Sequence, residues 1–201
     1  MYVHLIAYNS GHVVAYLHHS AQDANSVVTF VYCDYASKAQ QSTNDLLKAL
    51  LSQLITHLDP KSEVVEKLQY HHKHGYSLTH QLTMEFFTKV ATSVQFKMIW
   101  LCADALDELD RKEQDVFLRS LSEICQHSVF HVFLTGRFVV EKSVRWCMGT
   151  DVKFFSITTK SNLDDTHSFL EHELSKDLTP AAMKTDLKKI IVEHLAGDTS
   201  T

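Results

Sequence analysis

Apolar runs alternate with helix-like spacings along most of the chain. Residues 27–33 are rich in β-branched and aromatic side chains, which is typical of a strand. Residues 96–103 and 129–135 are two more apolar runs, the pattern of strands buried on both faces. A shorter run at 152–157 predicts a fourth strand, and residues 3–8 form a short apolar segment.

Segments with the spacing of amphipathic helices lie between these runs. A turn signal at Asn9-Ser10-Gly11 precedes the first, and Ser42 or Thr43 caps the clearest one, which Pro60 ends. The predicted helices span residues 13–22, from this cap to Pro60, 62–74, 77–92, 111–127, 162–174 and 180–195.

Strands that alternate with helices predict an α/β fold with a doubly wound, mainly parallel sheet. Right-handed crossovers place the carboxyl ends of such strands along one edge. We expect Gly11, Asp34, Asp104 and the run Thr135-Gly136-Arg137 at that edge. Residues 1–160 form the predicted core, and residues 161–201 a small, truncated helical extension.

Composition narrows the classes of function. The 201 residues are 45% hydrophobic and 21% charged, as in ordinary globular domains. A net charge of −5 argues against nucleic-acid binding, and no apolar run is long enough to span a membrane. Without a signal-peptide pattern, the cytoplasm is the expected compartment. The four scattered cysteines are expected to be free, buried thiols.

The most informative stretch is Met98 to Glu108, an apolar run that stops on three carboxylates: Asp104, Asp107 and Glu108. Carboxylates at the carboxyl end of a buried strand suit a Mg²⁺ ion beside a phosphate ligand. The alternative is a solvated helix start, where carboxylates complement the helix dipole.

Three stretches resemble the NACHT-type P-loop NTPases of the STAND class, above all the nephrocystin-like N-terminal domain of fungal multidomain receptors. Residues 29–35 (TFVYCDY) and the helix after them are similar to that family's strand and leucine-rich helix. Residues 101–108 (LCADALDE) resemble its extended Walker B motif, and residues 132–137 (VFLTGR) its sensor strand. Residues 157–174 resemble a later strand and helix, so the likeness runs from about residue 27 to the C-terminus.

The resemblance implies a P-loop NTPase type of sheet and a role for each carboxylate. Asp104 would hold Mg²⁺, and Asp107 or Glu108 would orient the attacking water. Arg137 would sense the γ-phosphate; the alternative is a surface salt bridge to the acidic loop. The implied cofactor is ATP or GTP with Mg²⁺, against the alternative that none is bound.

The phosphate-binding half departs from the family pattern. A Walker A loop reads GxxxxGK[ST], and its lysine and hydroxyl contact the phosphates and Mg²⁺. Ser10 and Gly11 match the end of that loop, but His12 replaces the lysine and Val13 the hydroxyl residue. We therefore expect a degenerate phosphate loop at Ser10, Gly11 and His12.

Other constellations carry less weight. His71, His72 and His74 are dense, but their spacing favours a solvated helix end over a zinc site. Serine-histidine-aspartate catalysis lacks a G-x-S-x-G elbow. A metal-dependent hydrolase that uses the acidic edge is a third, unrelated alternative.

The sequence thus favours a degenerate NACHT-like domain that acts as a signalling or protein-interaction module with weak or no hydrolysis. The alternative is an active ATP- or GTP-binding switch with a divergent loop. Protein partners are expected, through self-association or a related receptor; nucleic acid and membrane are not.

Overall fold

The computed structural model describes residues 3–5, 10–21, 25–34, 41–93, 96–149 and 152–154. All of them belong to one compact unit, Met1–Ser156. The predicted extension at 161–201, with the helices at 162–174 and 180–195, lies outside the described residues and stays a prediction. No helix in these ranges is both long and apolar enough to cross a membrane.

The described elements follow one another as strands and helices, as the alternation predicts. Their bounds, in chain order, are β1 Val3–Leu5, α1 Ser10–Ala21, β2 Ser26–Tyr32, α2 Thr43–Ile55, α3 Glu63–Lys73, α4 His80–Thr92, β3 Met98–Asp104, α5 Arg111–Ile124, β4 Phe130–Leu134, α6 Glu141–Met148 and β5 Lys153–Phe154. Two 3₁₀ turns, Leu106–Glu108 and Phe138–Val140, follow β3 and β4.

The five described strands form a parallel sheet in the order β2-β3-β4-β1-β5. Side chains alternate between its faces along each strand. On β3, Ile99 and Leu101 join the large core under α2, α4 and α5, whereas Cys102 packs with Val14 of α1 on the other face. Helices therefore cover both faces, and the predicted doubly wound α/β fold is confirmed.

Glutamine side chains cover the outer edge of β2. Gln53 accepts a hydrogen bond from the Phe30 N–H at 3.0 Å and donates one to the Phe30 carbonyl at 2.8 Å. Gln41 donates to the carbonyl of Tyr32 at 2.8 Å. These contacts pair backbone groups that an exposed edge strand would offer to another chain.

Helix starts agree with the sequence where a capping side chain is present. Ser42 caps α2 in a reciprocal capping box with Asp45, and Ser62 caps α3. The predicted start of α4 at residue 77 is wrong by three residues, because the Thr79 hydroxyl is the cap. The helix predicted at 111–127 ends at Ile124, where Cys125 forms its C-cap.

Two other predictions need correction. α1 begins at Ser10 rather than Val13, so Ser10 and Gly11 are the start of a helix and not part of a turn. Helix α6 was not predicted from the sequence, and its buried residues Val144 and Met148 are spaced one helical turn apart. The strand predicted at 152–157 is described only at Lys153–Phe154.

Candidate functional site

Two neighbouring strands bring the predicted site residues together at one edge of the sheet. β3 ends at Asp104, and β4 leads directly into Thr135, Gly136 and Arg137. The strands are paired in parallel, with Ala103 opposite Leu134, so both loops leave the sheet on the same side. The carboxyl end of β2 is joined to them, because the Cys33 N–H donates to the Asp104 carbonyl at 2.9 Å.

The acidic loop folds back onto the end of β4. Ala105 has left-handed backbone angles (φ 56°, ψ 46°), and the 3₁₀ turn follows at once. The Leu106 N–H then donates to the Thr135 carbonyl at 2.9 Å, and the buried Gln114 side chain donates to the Leu106 carbonyl at 3.0 Å. Backbone and side-chain hydrogen bonds therefore fix the position of this loop.

Thr135 connects the two loops through its side chain. Its hydroxyl donates a hydrogen bond to Asp104 Oδ1 and accepts one from the Ala105 N–H at 3.0 Å. Thr135 is buried, so water does not readily replace these partners. The carboxylate expected to hold Mg²⁺ is thus bound by a neighbouring hydroxyl.

Asp107 and Arg137 form the second connection. The Arg137 backbone N–H donates to Asp107 Oδ1 at 3.0 Å, and the guanidinium Nε lies 3.2 Å from Oδ2. The Asp107 side chain is 11% exposed, whereas that of Arg137 is 78% exposed. Glu108 contacts the same guanidinium only loosely, at 3.9 Å. Arg137 thus forms a surface salt bridge with the acidic loop, and its role as a sensor of the γ-phosphate stays a prediction.

Gly136 allows this close approach. A Cβ at this position would lie 3.2 Å from Asp107 Oδ1 and 3.1 Å from Val140 Cγ2. Both distances are tighter than ordinary van der Waals contact. The absence of a side chain at Gly136 therefore lets the acidic loop pack closely against the end of β4.

The negative charge of the edge reaches Cys33. Burial, followed by the nearby carboxylates Asp104, Asp107 and Glu108, raises the pKa of this thiol to about 12. A thiol with so high a pKa is not a nucleophile at neutral pH. All four cysteines are free, as the sequence predicts; Cys33 and Cys102 are buried, but Cys125 and Cys147 are only partly buried.

The expected phosphate loop follows β1, the strand that lies beside β4 on the side away from β3. β1 pairs with β4, and the first turn of α1 contains Ser10, Gly11 and His12. Backbone N–H groups of a helix start suit an anion. The link at 6–9 and the side chains of residues 10–12 lie outside the described residues, so this role stays a prediction. A cavity of only about 10 Å³ adjoins Asp104.

The remaining candidates are placed elsewhere. His71 and His72 lie in the last turn of α3, and His74 is its C-cap. Within the described ranges, no group of three or more His, Cys, Asp or Glu residues is arranged to hold a metal. Asp34 is exposed beyond β2, where its N–H donates to Gln41.

The sequence analysis did not assign roles to Thr135 and Gln114. The only signal for Thr135 was its place in the run that resembles the sensor strand. Nothing in the spacing of residues indicated that Gln114, one turn into α5, would hold the Leu106 carbonyl.

Comparisons with known proteins agree with this geometry. Residues 9–137, more than half of the chain, match the family model described as nephrocystin 3, N-terminal. No match is found among curated proteins.

Solved structures show the same fold at low identity. The chain is similar to the Aeropyrum pernix ORC1 protein in complex with DNA, at 15% identity and a TM-score of 0.53, over 98% of this chain and 49% of that one. It is also similar to Cdc6p from Pyrobaculum aerophilum, at 13% identity and a TM-score of 0.51, over 96% of this chain and 48% of that one. The values for Drosophila ORC bound to DNA are 13% identity and a TM-score of 0.51, over 95% of this chain and 46% of that one. The chain spans about half the length of these chains, and the shared feature is the P-loop NTPase fold.

Proposed function

Because the chain belongs to the family of the nephrocystin 3 N-terminal domain, we propose that it is a degenerate nucleotide-binding domain of the NACHT and STAND type. Its role is that of a signalling or protein-interaction module with weak or no NTP hydrolysis. The P-loop NTPase fold and the order of the matched motifs support this proposal.

The engagement of Asp107 by Arg137 carries the proposal. Both oxygens of this carboxylate face donors of Arg137, one on the backbone and one on the guanidinium. A carboxylate that orients or deprotonates an attacking water must offer a free lone pair to that water. Both oxygens of Asp107 are held by Arg137 and only 11% of its side chain is exposed, which favours a structural role for this carboxylate. Glu108, the other carboxylate expected to orient water, keeps only the loose contact at 3.9 Å.

The departure from a site that hydrolyses a magnesium nucleotide lies mainly in the phosphate loop. Asp104 is a suitable Mg²⁺ ligand by chemistry, because the Thr135 hydroxyl binds its Oδ1 and leaves other lone pairs of the carboxylate for a metal. On the phosphate side, His12 is shorter than lysine and mostly neutral at pH 7, and Val13 has no oxygen for the metal. Each lost charge-assisted contact costs about 1.5–3 kcal/mol, so two reduce affinity by roughly 10²–10⁴ if they add.

Exposed apolar side chains support the role in protein interactions. Phe138, Val139 and Trp146 are 78%, 74% and 81% exposed and closely follow Arg137 in sequence. Aromatic residues of this kind are enriched in protein interfaces. We propose that the partner is a second copy or a related receptor, without nucleic acid or membrane, in the cytoplasm, where the free cysteines would stay reduced.

Nucleotide-dependent thermal unfolding of the full chain tests the proposal. A ligand at one hundred times its Kd stabilises a protein by about 2.7 kcal/mol, which appears as a higher melting temperature. We expect no shift with millimolar Mg-ATP or Mg-GTP, and no phosphate release. The double variant His12→Lys/Val13→Thr should gain a shift, because it restores both missing phosphate-loop side chains.

A matched variant controls for the added lysine and threonine. His19→Lys/Ala15→Thr introduces the same two side chains at exposed positions of α1 and should gain no shift. A nucleotide shift together with phosphate release by the unmodified chain would overturn the proposal in favour of an active switch. Divalent-dependent hydrolysis that survives substitution of Gly11 would instead favour the metal-dependent hydrolase.

A further inference from the structure

A cavity of about 420 Å³ lies between α2 and α3 and shares no residue with the site at the sheet edge. Its apolar walls come from Leu51 and Ile55 of α2 and from Val65 and Leu68 of α3. Pockets for small molecules typically have volumes of about 300–1,000 Å³ and mostly apolar walls. The cavity therefore has the size and lining of a small-molecule site.

The cavity exists because α3 packs against the protein mainly through its first turn. Val64 and Val65 are the buried residues of this helix, and Leu68, one turn further on, is only partly buried. Ile55 on the facing side of α2 is also partly buried. Apolar surface on both helices thus remains available to a ligand.

The polar lining is concentrated at one end. The start of α2 and the end of α3 lie at this same end of the cavity. This is seen in the hydrogen bond that the Asn44 side chain, near the start of α2, donates to the Leu78 carbonyl, beyond the end of α3, at 2.9 Å. Lys48 near the start of α2 and His71 and His72 near the end of α3 line this part of the cavity. The far end is apolar.

The charges at the polar end favour an anion. Among the described lining residues none is acidic, and Lys48 is a cation. One donor of its ammonium group is used by Asp45, at 3.2 Å, and a lysine has three. Two donors are therefore left for a ligand.

The two histidines contribute to the wall of the polar end in different ways. His72 is exposed, whereas His71 is only partly buried and its ring packs beside Tyr76 and Phe86. The Nδ1 atom of His71 is buried away from the open cavity and is not available to a ligand there. The Lys48 ammonium group is therefore the cation that a ligand would meet.

We propose that this cavity binds a small amphipathic monocarboxylate. The apolar body of the ligand lies between the two helices, against Ile55 and Val65. Its carboxylate accepts hydrogen bonds from the Lys48 ammonium group. This site is separate from the nucleotide question and does not depend on its answer.

Calorimetric titration of the full chain with decanoate tests the site, with decanamide and acetate as comparison ligands. We expect saturable one-to-one binding of decanoate. Decanamide, which has the same body without the charge, should bind at least about tenfold more weakly, because a charge-assisted contact is lost. Acetate has no apolar body and should not bind.

Two variants connect the binding to these residues. Lys48→Met should weaken decanoate about tenfold or more and leave decanamide unchanged, while Lys97→Met, an exposed lysine elsewhere, should change neither. Ser52→Phe, at an exposed lining position, should fill the cavity and abolish binding of both ligands, whereas Ser52→Ala should not.

Absence of saturable decanoate binding would overturn the proposal, as would binding that Ser52→Phe does not affect. Equal affinities for decanoate and decanamide would overturn the assignment of the carboxylate. If Lys48→Met does not fold, the comparison of decanoate with decanamide on the unmodified chain still tests whether the carboxylate is recognised. If the chain binds an apolar peptide but not decanoate, the cavity is a docking groove for a protein segment, and the proposal is wrong.

Discussion

Asp107 contacts Arg137 twice: Oδ1 accepts a hydrogen bond from the backbone N–H at 3.0 Å, and Oδ2 lies 3.2 Å from the guanidinium Nε. The two contacts are unequal, because the backbone donor belongs to the folded loop, whereas the guanidinium is largely exposed. Exposed ion pairs contribute little to stability, and a buried acceptor without its donor costs more. The pair therefore stabilises the loop mainly through the backbone.

This inequality predicts an order of stabilities. Asp107→Ala should lower the free energy of unfolding by about 1–3 kcal/mol, because the Arg137 N–H loses its acceptor. Arg137→Ala keeps that hydrogen bond and should cost less than about 1 kcal/mol. Urea unfolding measures both, and Glu108→Ala, whose guanidinium contact is 3.9 Å, is the matched control with little effect. A larger loss for Arg137→Ala than for Asp107→Ala would contradict the assignment.

The Thr135 hydroxyl should stabilise the same loop. Thr135→Val keeps the shape of the side chain but leaves the Ala105 N–H without its acceptor, so we expect a loss of about 1–3 kcal/mol. Thr29→Val is the control, because Thr29 is equally buried and its hydroxyl only donates to the Trp100 carbonyl. Equal losses for the two variants in thermal or urea unfolding would remove the special role of Thr135.

Gly136 should be intolerant of a methyl group although its backbone angles are ordinary. Gly136→Ala places a Cβ near Asp107 Oδ1, which cannot move away without losing the Arg137 N–H, and overpacking of this kind costs about 1–3 kcal/mol. The test is a double-mutant cycle. The cost of Gly136→Ala should fall when Asp107 is already alanine; strict additivity of the two changes would show that Asp107 is not the obstacle.

The capping box of α2 predicts a pH dependence. The hydrogen bond from the Ser42 side chain, followed by the nearby Lys48, lowers the pKa of Asp45 below its usual range. A carboxyl with a lowered folded-state pKa stabilises the fold above its unfolded pKa of about 3.9, and this stability is lost as the pH falls through the folded pKa. Asp45→Asn should therefore destabilise the protein near pH 7 and progressively less in acid.

A second cap provides the control for this pH dependence. Ser62 caps α3, but the residue at the position equivalent to Asp45 is Val65, which does not titrate. Ser42→Ala and Ser62→Ala should each cost about 0.5–2 kcal/mol near pH 7. Only the Ser42→Ala loss should shrink on acidification; equal pH dependence of the two losses would contradict the role of Asp45.

The exposed apolar side chains after β4 predict self-association. Sedimentation of the full chain should show concentration-dependent assembly, and Val139→Lys or Trp146→Lys should weaken it by placing a charge in the contact. Val116→Lys, at an exposed position on α5, should leave assembly unchanged. A chain that stays monomeric at all concentrations would exclude self-association and leave a related receptor as the proposed partner.

The sequence predicted best those features that depend on nearby residues. The run before Asp104 indicated a strand because a strand buried on both faces needs continuous apolar residues. Ser42 and Ser62 indicated helix starts because a capping hydroxyl acts within one turn. The α/β class followed from the alternation of such elements, and the family model confirms the resemblance at the level of the P-loop fold.

The pairing of Arg137 could not be settled from the sequence. It depends on the left-handed backbone at Ala105, which returns the acidic loop to Gly136, and alanine rarely adopts this conformation. The short helix α6 was missed because its two buried residues, Val144 and Met148, stand among charged and exposed ones. Both features depend on contacts between segments that are distant in the sequence, separated by about thirty residues or by a whole strand.

The position of β1 in the sheet has a consequence for how the chain folds. Val3 is aligned with Val132 and Leu5 with Leu134, so the first strand of the chain has its sheet neighbours in β4 and β5. During synthesis β2 and β3 can pair while β1 still lacks both partners. The pairing of β1 with β4 closes a loop of more than a hundred residues, which is slow. Folding of the central part of the sheet must therefore wait for residues 130–134. Until then, the backbone of β1 lacks its sheet partners and is open to wrong pairing.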